Sequence, residues 1–173
     1  MEVIIIQSMQ PNLTKTSFPP LIHPNARILI LGTLPGEESL KQQQYYANPR
    51  NQFWRIMQML FDIPSTAPYT ERIAHLKQHK IALWDVLHSC ERTGSLDSAI
   101  LNPIPNDFTG LLAKNPDLQA IAFNGTKAAK WFHRWAKIDT SGLKLFPLPS
   151  TSPAATIAFE KKCAAWTILK GLL

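Results

Sequence analysis

Four short apolar runs constrain this chain more than any other feature. Ile28-Leu29-Ile30-Leu31 ends on Gly32, and Ile81 to Leu87 encloses Asp85. Leu118 to Phe123 runs into Asn124-Gly125, and Lys144 to Leu148 into Pro149. Each is too short for a core helix, and each is followed by a loop and then by sequence of helical character. That alternation predicts an α/β domain with a mostly parallel sheet.

Helical spacing lies between the runs. Gln52 to Phe61 places Phe53, Ile56, Met57 and Leu60 on one face, and Tyr69 to Lys80 uses Ile73 and Leu76. A short helix is expected over Asp107 to Lys114, another from Asn124-Gly125 to about Ile138, and a last one from about Ala158. Pro103, Pro105 and Asn106 mark a loop. Residues 1–26, with Pro11, Pro19, Pro20 and Pro24, read as an irregular lead-in to which Val3–Ile6 can add an edge strand.

A chain of 173 residues fits one domain with a real core. With 45% hydrophobic and only 17% charged residues it is not a disordered polyelectrolyte. Its longest apolar runs fall far below the roughly 18 residues of a membrane span. The first residues lack a basic run and a long apolar segment, so a cytoplasmic location is expected. Cys90 and Cys163 then read as reduced, buried thiols. No cofactor or metal is expected. His75 and His79 are four residues apart, but no Glu follows His75 and no third ligand stands near; of the histidines, only His88, close to Asp85, invites attention.

The net charge of +6 is unevenly placed. Residues 1–123 are balanced, with 10 basic and 10 acidic side chains, whereas residues 124–173 hold 8 basic against 2 acidic. Lys127, Lys130, Arg134 and Lys137 fall on one helical face. This asymmetry points to a polyanion, and equally suits a solvated lysine-rich face.

Open α/β sheets bind ligands beyond the carboxyl ends of their strands. The residues there are Gly32-Thr33-Leu34-Pro35-Gly36, Asp85, Asn124-Gly125-Thr126 and Pro149-Ser150-Thr151-Ser152-Pro153-Ala154. The glycine- and hydroxyl-rich loops suit close backbone approach to a phosphate or base, and suit ordinary tight turns as well. Neither GxGxxG nor GxxxxGK[ST] occurs. The segment Tyr45-Tyr46-Ala47-Asn48-Pro49-Arg50-Asn51-Gln52-Phe53-Trp54 gathers aromatics that can stack on a base and amides that can read one. It also reads as a capped helix start.

Taken together and in order, Gly32 to Gly36, Asn48 to Trp54 and Pro149 to Ala154 resemble the uracil-DNA glycosylase superfamily. Within it they are most similar to the hypoxanthine (deoxyinosine) DNA glycosylase family. Ala82-Leu83-Trp84-Asp85-Val86, Ser89-Cys90-Glu91-Arg92 and Gly94-Ser95-Leu96-Asp97 are family-like too. The resemblance implies a three-layer α/β/α sandwich around a four-stranded parallel sheet, occupying residues 18–173 as one glycosylase domain after an extension at 1–17. It implies a monomeric, monofunctional DNA glycosylase that flips a deaminated base and hydrolyses its glycosidic bond.

Residue roles follow from the resemblance. The mismatch-specific branch places a water-positioning Asn where Leu34 stands, and the hypoxanthine branch instead uses an Asn in the segment matching Asn48 to Asn51. Asn48 is therefore expected to orient the water, with Asn51 second. Asp85 stands where uracil-reading relatives keep an Asn. It can accept N1–H of hypoxanthine, serve as general base, or bond loop amides. Gly32, Thr33, Leu34, Pro35, Gly36, Tyr45, Tyr46, Phe53 and Asn124 are expected around the base, with Tyr46 stacking on it. Ser150, Thr151, Ser152, Lys127, Lys161 and Lys162 are expected on the DNA backbone. Ala155 replaces an Asn often found there. Two cysteines exclude the iron–sulfur branches. The alternatives are a broader uracil or xanthine glycosylase, and a nucleic-acid-binding α/β module without catalysis.

Overall fold

The computed structural model describes residues 13–173; the suggested edge strand at Val3–Ile6 lies outside them. Along the chain run β1 (Thr14–Thr16), β2 (Ile28–Gly32), α1 (Glu37–Gln42), α2 (Phe53–Phe61), α3 (Tyr69–Gln78), β3 (Ile81–Asp85) and β4 (Leu87–Glu91). β5 (Leu101–Pro105), α4 (Phe108–Lys114), β6 (Ala120–Asn124), α5 (Thr126–Trp135), β7 (Lys144–Leu148) and α6 (Phe159–Trp166) follow.

β3-β2-β6-β7 form a four-stranded parallel sheet. Alternation along β2 sends its side chains to two cores. Leu29 and Leu31 join Phe108 and Phe132 from α4 and α5 on one face. Ile28 and Ile30 join Ile56, Leu76 and Trp166 from α2, α3 and α6 on the other. Helices thus cover both faces, which is why these strands are apolar throughout rather than alternating. The register aligns Gly32 with Asp85 at the carboxyl end, and Asn124 with Leu148.

Five expectations change. The run Ile81 to Leu87 is not one strand but two, broken at Val86. Val86 N–H donates to Gly32 O (2.8 Å), and Leu87 N–H to Thr33 O (3.0 Å), so the chain turns across the end of β2 and leaves the parallel sheet. The second half begins an antiparallel sheet of order β1-β4-β5. β5 occupies the expected Pro103–Pro105 loop; it is an edge strand, where a missing proline N–H is tolerated. Thr14–Thr16, inside the segment read as an extension, pairs with Ser89 to Glu91. Finally, α1 forms where only a loop was expected, with Glu37 and Glu38 complementing the positive end of its dipole; α5 in turn stops at Trp135, short of Ile138.

Candidate active site

A cavity of about 370 Å³ opens at the carboxyl ends of the parallel strands. This is the small-molecule range for binding pockets. Of the residues expected around a base, Gly32 to Gly36, Tyr45, Tyr46 and Asn124 line it, together with Asn48, Asn51 and Asp85. Ser150, Thr151, Ser152 and Lys127 line it as well.

Asp85 sits at the floor, 3% exposed. Its main-chain carbonyl accepts from Asn106 Nδ2 (2.8 Å), which fixes the backbone and leaves the carboxyl for the cavity. Oδ2 is buried with no hydrogen-bond partner among the described residues. Gly32 is required beside it, because a Cβ there would stand 2.8 Å from Asp85 Oδ1. Burial pushes the carboxyl up to about 8, and the negative charge of Asp97 adds to the shift. Burial therefore favours the acid form of Asp85. Tyr45 faces it without completing a hydrogen bond, and the phenols of Tyr45 and Tyr46 are both pushed up by burial and by Asp85.

Tyr46 stacks on Phe53 at 4.0 Å between ring centroids, in a left-handed backbone conformation (φ 57°). Phe53 itself is wholly buried in the core and does not line the cavity. Its expected place around the base is corrected to a support behind Tyr46, since the first turn of an apolar helix face points into the core.

The opposite wall is tied together by Thr151, which is fully buried. Thr151 N–H donates to Asn124 Oδ1 (2.8 Å), Asn124 Nδ2 to Thr151 Oγ1 (2.9 Å), and Thr151 Oγ1 to Asn51 Oδ1 (2.8 Å). Gln52 N–H donates to Thr151 O (3.0 Å), and Phe53 N–H to Asn51 Oδ1 (3.0 Å). Asn51, Asn124 and Thr151 thus spend these groups holding two loops 100 residues apart. Asn48 accepts from Arg50 N–H through Oδ1 (2.9 Å), and its Nδ2 has no partner among the described residues.

Two α6 side chains brace the Ser/Thr loop. Trp166 Nε1 donates to Pro149 O (2.9 Å) and Lys162 Nζ to Ala155 O (3.1 Å). Lys162 is 1% exposed, and burial pushes its ammonium down. It is withdrawn from the surface, so the expectation that it meets DNA is corrected: four residues before Trp166, it lies on the buried face of α6. Lys161, next along, is exposed but outside the cavity. Lys127, Lys130 and Arg134 are exposed on α5, and Lys127 reaches the cavity. Gly125 (φ 108°) turns the chain into α5, where a Cβ would meet Ser150 Cβ at 3.1 Å. His88 is exposed on β4 and does not line the cavity.

The sequence reading assigned no role to Arg92, Ser95 or Asp97. Ser95 and Asp97 line the cavity. Asp97 Oδ2 accepts from Thr33 Oγ1 (2.8 Å), and Oδ1 lies 3.8 Å from Arg92 Nη1. Arg92, 1% exposed, also donates to Pro35 O. Ser95 Oγ accepts from Glu37 N–H (2.9 Å). A buried arginine five residues from an aspartate was the available signal, but its burial was not legible.

Residues 19–170 match the family model for the uracil DNA glycosylase superfamily. The chain belongs to that superfamily. It is 42% identical over 155 residues to a hypoxanthine DNA glycosylase of Methanosarcina acetivorans, covering 89% of this chain and 96% of that protein. It is 40% identical over 121 residues to a hypoxanthine DNA glycosylase of Methanosarcina barkeri, covering 69% and 76%. A solution NMR structure of a proposed uracil DNA glycosylase from Methanosarcina acetivorans superposes with a TM-score of 0.80 at 35% identity, over 92% of this chain and 98% of that one. Among the described residues, no group of three or more His, Cys, Asp or Glu is placed to hold a metal, and no helix is long and apolar enough to cross a membrane.

Proposed function

We propose that this protein is a monofunctional DNA glycosylase that hydrolyses the N-glycosidic bond of deaminated bases in DNA, hypoxanthine first, and leaves an abasic site. The observation that carries the reading is the buried carboxyl of Asp85, with an unpartnered oxygen at the floor of a base-sized cavity in a uracil DNA glycosylase superfamily chain. The relatives named hypoxanthine DNA glycosylase support the substrate.

A neutral carboxylic acid offers both a donor and an acceptor. Hypoxanthine presents O6 and N1–H side by side, so Asp85 can donate to the first and accept from the second. An ionised carboxylate would only accept. Tyr46, backed by Phe53, supplies a flat surface for the extruded base. As the C1′–N bond breaks, its electron pair leaves with the base and the sugar becomes oxocarbenium-like. Backbone N–H groups of the Thr33 to Gly36 loop face the departing base and favour its negative charge. Asn48 Nδ2 is available to hold the water that attacks C1′. Ser150 and Ser152 hydroxyls and Lys127 meet the phosphates, while residues 124–173 supply the positive field. The enzyme works without a cofactor, as a monomer in the cytoplasm.

Uracil offers the same pair of groups as O4 and N3–H, and the likeness to a structure described as a uracil DNA glycosylase favours it as a second substrate. Oligonucleotides carrying one deoxyinosine, deoxyuridine or deoxyxanthosine, incubated with the protein and then treated with alkali, test the reading. Cleavage at deoxyinosine is expected to be fastest. DNA binding without cleavage of any substrate would leave the non-catalytic module.

A further inference from the structure

A second cavity, of about 460 Å³, adjoins the first at the Asn48–Gln52 segment. Tyr46, Asn48 and Asn51 line both cavities, so this segment is the partition between them. The two cavities differ in charge. Asp85, Asp97, Glu37 and Glu38 line the first, whereas no Asp or Glu lines the second and Arg50 and Arg55 do. Both arginines are exposed, and neither has a carboxylate partner among the described residues. The Arg55 guanidinium lies 3.9 Å from the centroid of the Phe159 ring. The ring takes its flat face and leaves the N–H edge to donate. The opposite bank is the loop between α2 and α3. There Ser65 Oγ and Ser65 N–H both donate to Gln58 Oε1 (2.6 and 3.2 Å), which pins the loop to α2, and Thr66 beside it is exposed.

We propose that the second cavity is a subsite for the nucleotide next to the extruded one, with Arg50 and Arg55 on its phosphodiester. This rests on the glycosylase reading for its ligand. A strand that gives up one nucleotide to the first cavity carries its next phosphate across the shared partition at Asn48, and there it meets only cationic and neutral groups. A guanidinium suits that phosphate, because it offers parallel N–H donors to two oxygens. Holding Arg55 on Phe159 reduces the freedom it loses on binding. The positive charge of residues 124–173 reaches the first cavity through Lys127. Arg50 and Arg55 come instead from the electrically balanced residues 1–123, and they stand across the partition. The damaged strand is thus held on both sides of the nucleotide it gives up.

Binding to a duplex with one tetrahydrofuran abasic analogue, which cannot be excised, tests the contact without turnover. Single phosphates on either side of the analogue are replaced by uncharged methylphosphonates. At a phosphate of the adjoining nucleotide, this should weaken binding of the native protein roughly tenfold. In the double variant Arg50→Gln, Arg55→Gln the same replacement should cost nothing. The slope of log affinity against log salt should also be shallower by about 2 in that variant. Arg50→Gln alone, at an exposed position, should make it shallower by about 1, and it keeps the test open if losing the Arg55–Phe159 contact unfolds the double variant. An unchanged slope overturns the proposal. So does a methylphosphonate cost that is the same in native and variant proteins at every phosphate of the adjoining nucleotides, which would place the arginines elsewhere on the DNA. Excision of deoxyinosine is scored separately. A protein that shows the coupling and excises no base keeps the subsite and loses the glycosylase reading, whereas excision without the coupling removes the subsite alone.

Discussion

The two walls of the cavity are built on opposite principles. The wall formed by the loop after β2, Asp85 and the turn at Asp97 is made of ionisable groups: the buried carboxyl of Asp85, the half-buried carboxyl of Asp97 and one buried guanidinium. The wall formed by the Asn48–Gln52 and Pro149–Ala155 segments is made of neutral amides and hydroxyls, tied together by hydrogen bonds through Thr151. Charges respond to pH and to one another; neutral bonds do not. The comparison teaches how one cavity can combine an adjustable reader of the base with a rigid frame for the water and the backbone. Strong local fields belong where discrimination is needed, and fixed geometry where a nucleophile must be aimed.

Removing the water-holding amide should have the largest effect. Asn48→Ala is expected to lower single-turnover excision by roughly 10²–10³-fold, comparable to loss of one transition-state donor, with the protein still folded. Undiminished excision would break the assignment of catalysis to the neutral wall.

Next comes the stability cost of the charged wall. Because the Asp85 carboxyl is pushed above its ordinary value, the folded state holds a proton that the unfolded chain releases between about 4 and 8. Stability therefore declines as pH rises through that window and levels off above it. Asp85→Asn, which has no proton to lose, should be more stable than the native protein by on the order of 3 kcal/mol at pH 7, and no more stable below pH 4. Denaturant melts at pH 4, 7 and 9 check this. A difference that does not vary with pH would mean the wall is not charged in the way described.

The neutral wall should show the reverse pattern. Thr151→Val removes the hydroxyl that joins Asn124 to Asn51. Leaving those buried groups unpaired should cost about 1–3 kcal/mol, independent of pH. A pH-dependent loss would erase the distinction between the walls.

The smallest effect separates two lysines. Lys127→Gln should reduce the slope of log affinity against log salt by about 1. Lys162→Gln should leave the slope unchanged while loosening the Ser/Thr loop, because its ammonium is bound to Ala155 O. Equal changes in slope would return both lysines to the DNA surface.

Much of this arrangement is legible in the sequence. The strands announce themselves as short apolar runs, and the residues that follow Gly32, Asn124 and Leu148 converge because parallel strands all end at one edge. The antiparallel sheet is less legible. β4 reads Leu-His-Ser-Cys-Glu and β5 contains two prolines, so neither carries the continuous apolar signature of a buried strand. Phe53 and Lys162 show a different obstacle. Spacing places a side chain on a face, but not what covers that face. Lys162 sits in a basic pair beside Lys161, yet one of the two is sealed and the other is in water.

By itself the sequence determined the order of the four parallel strands and of α2 to α6, the family, and the set of loops that make the cavity. These depend on local apolar periodicity and on residues read in place along the chain. Tertiary structure alone decided that the Asp85 carboxyl is buried and pushed up, that Arg92 is sealed against Asp97, and that Asn51 and Thr151 are bound across 100 residues. Those properties are set by desolvation. The water kept from a group is excluded by whichever distant segments happen to cover it, and no local pattern records that.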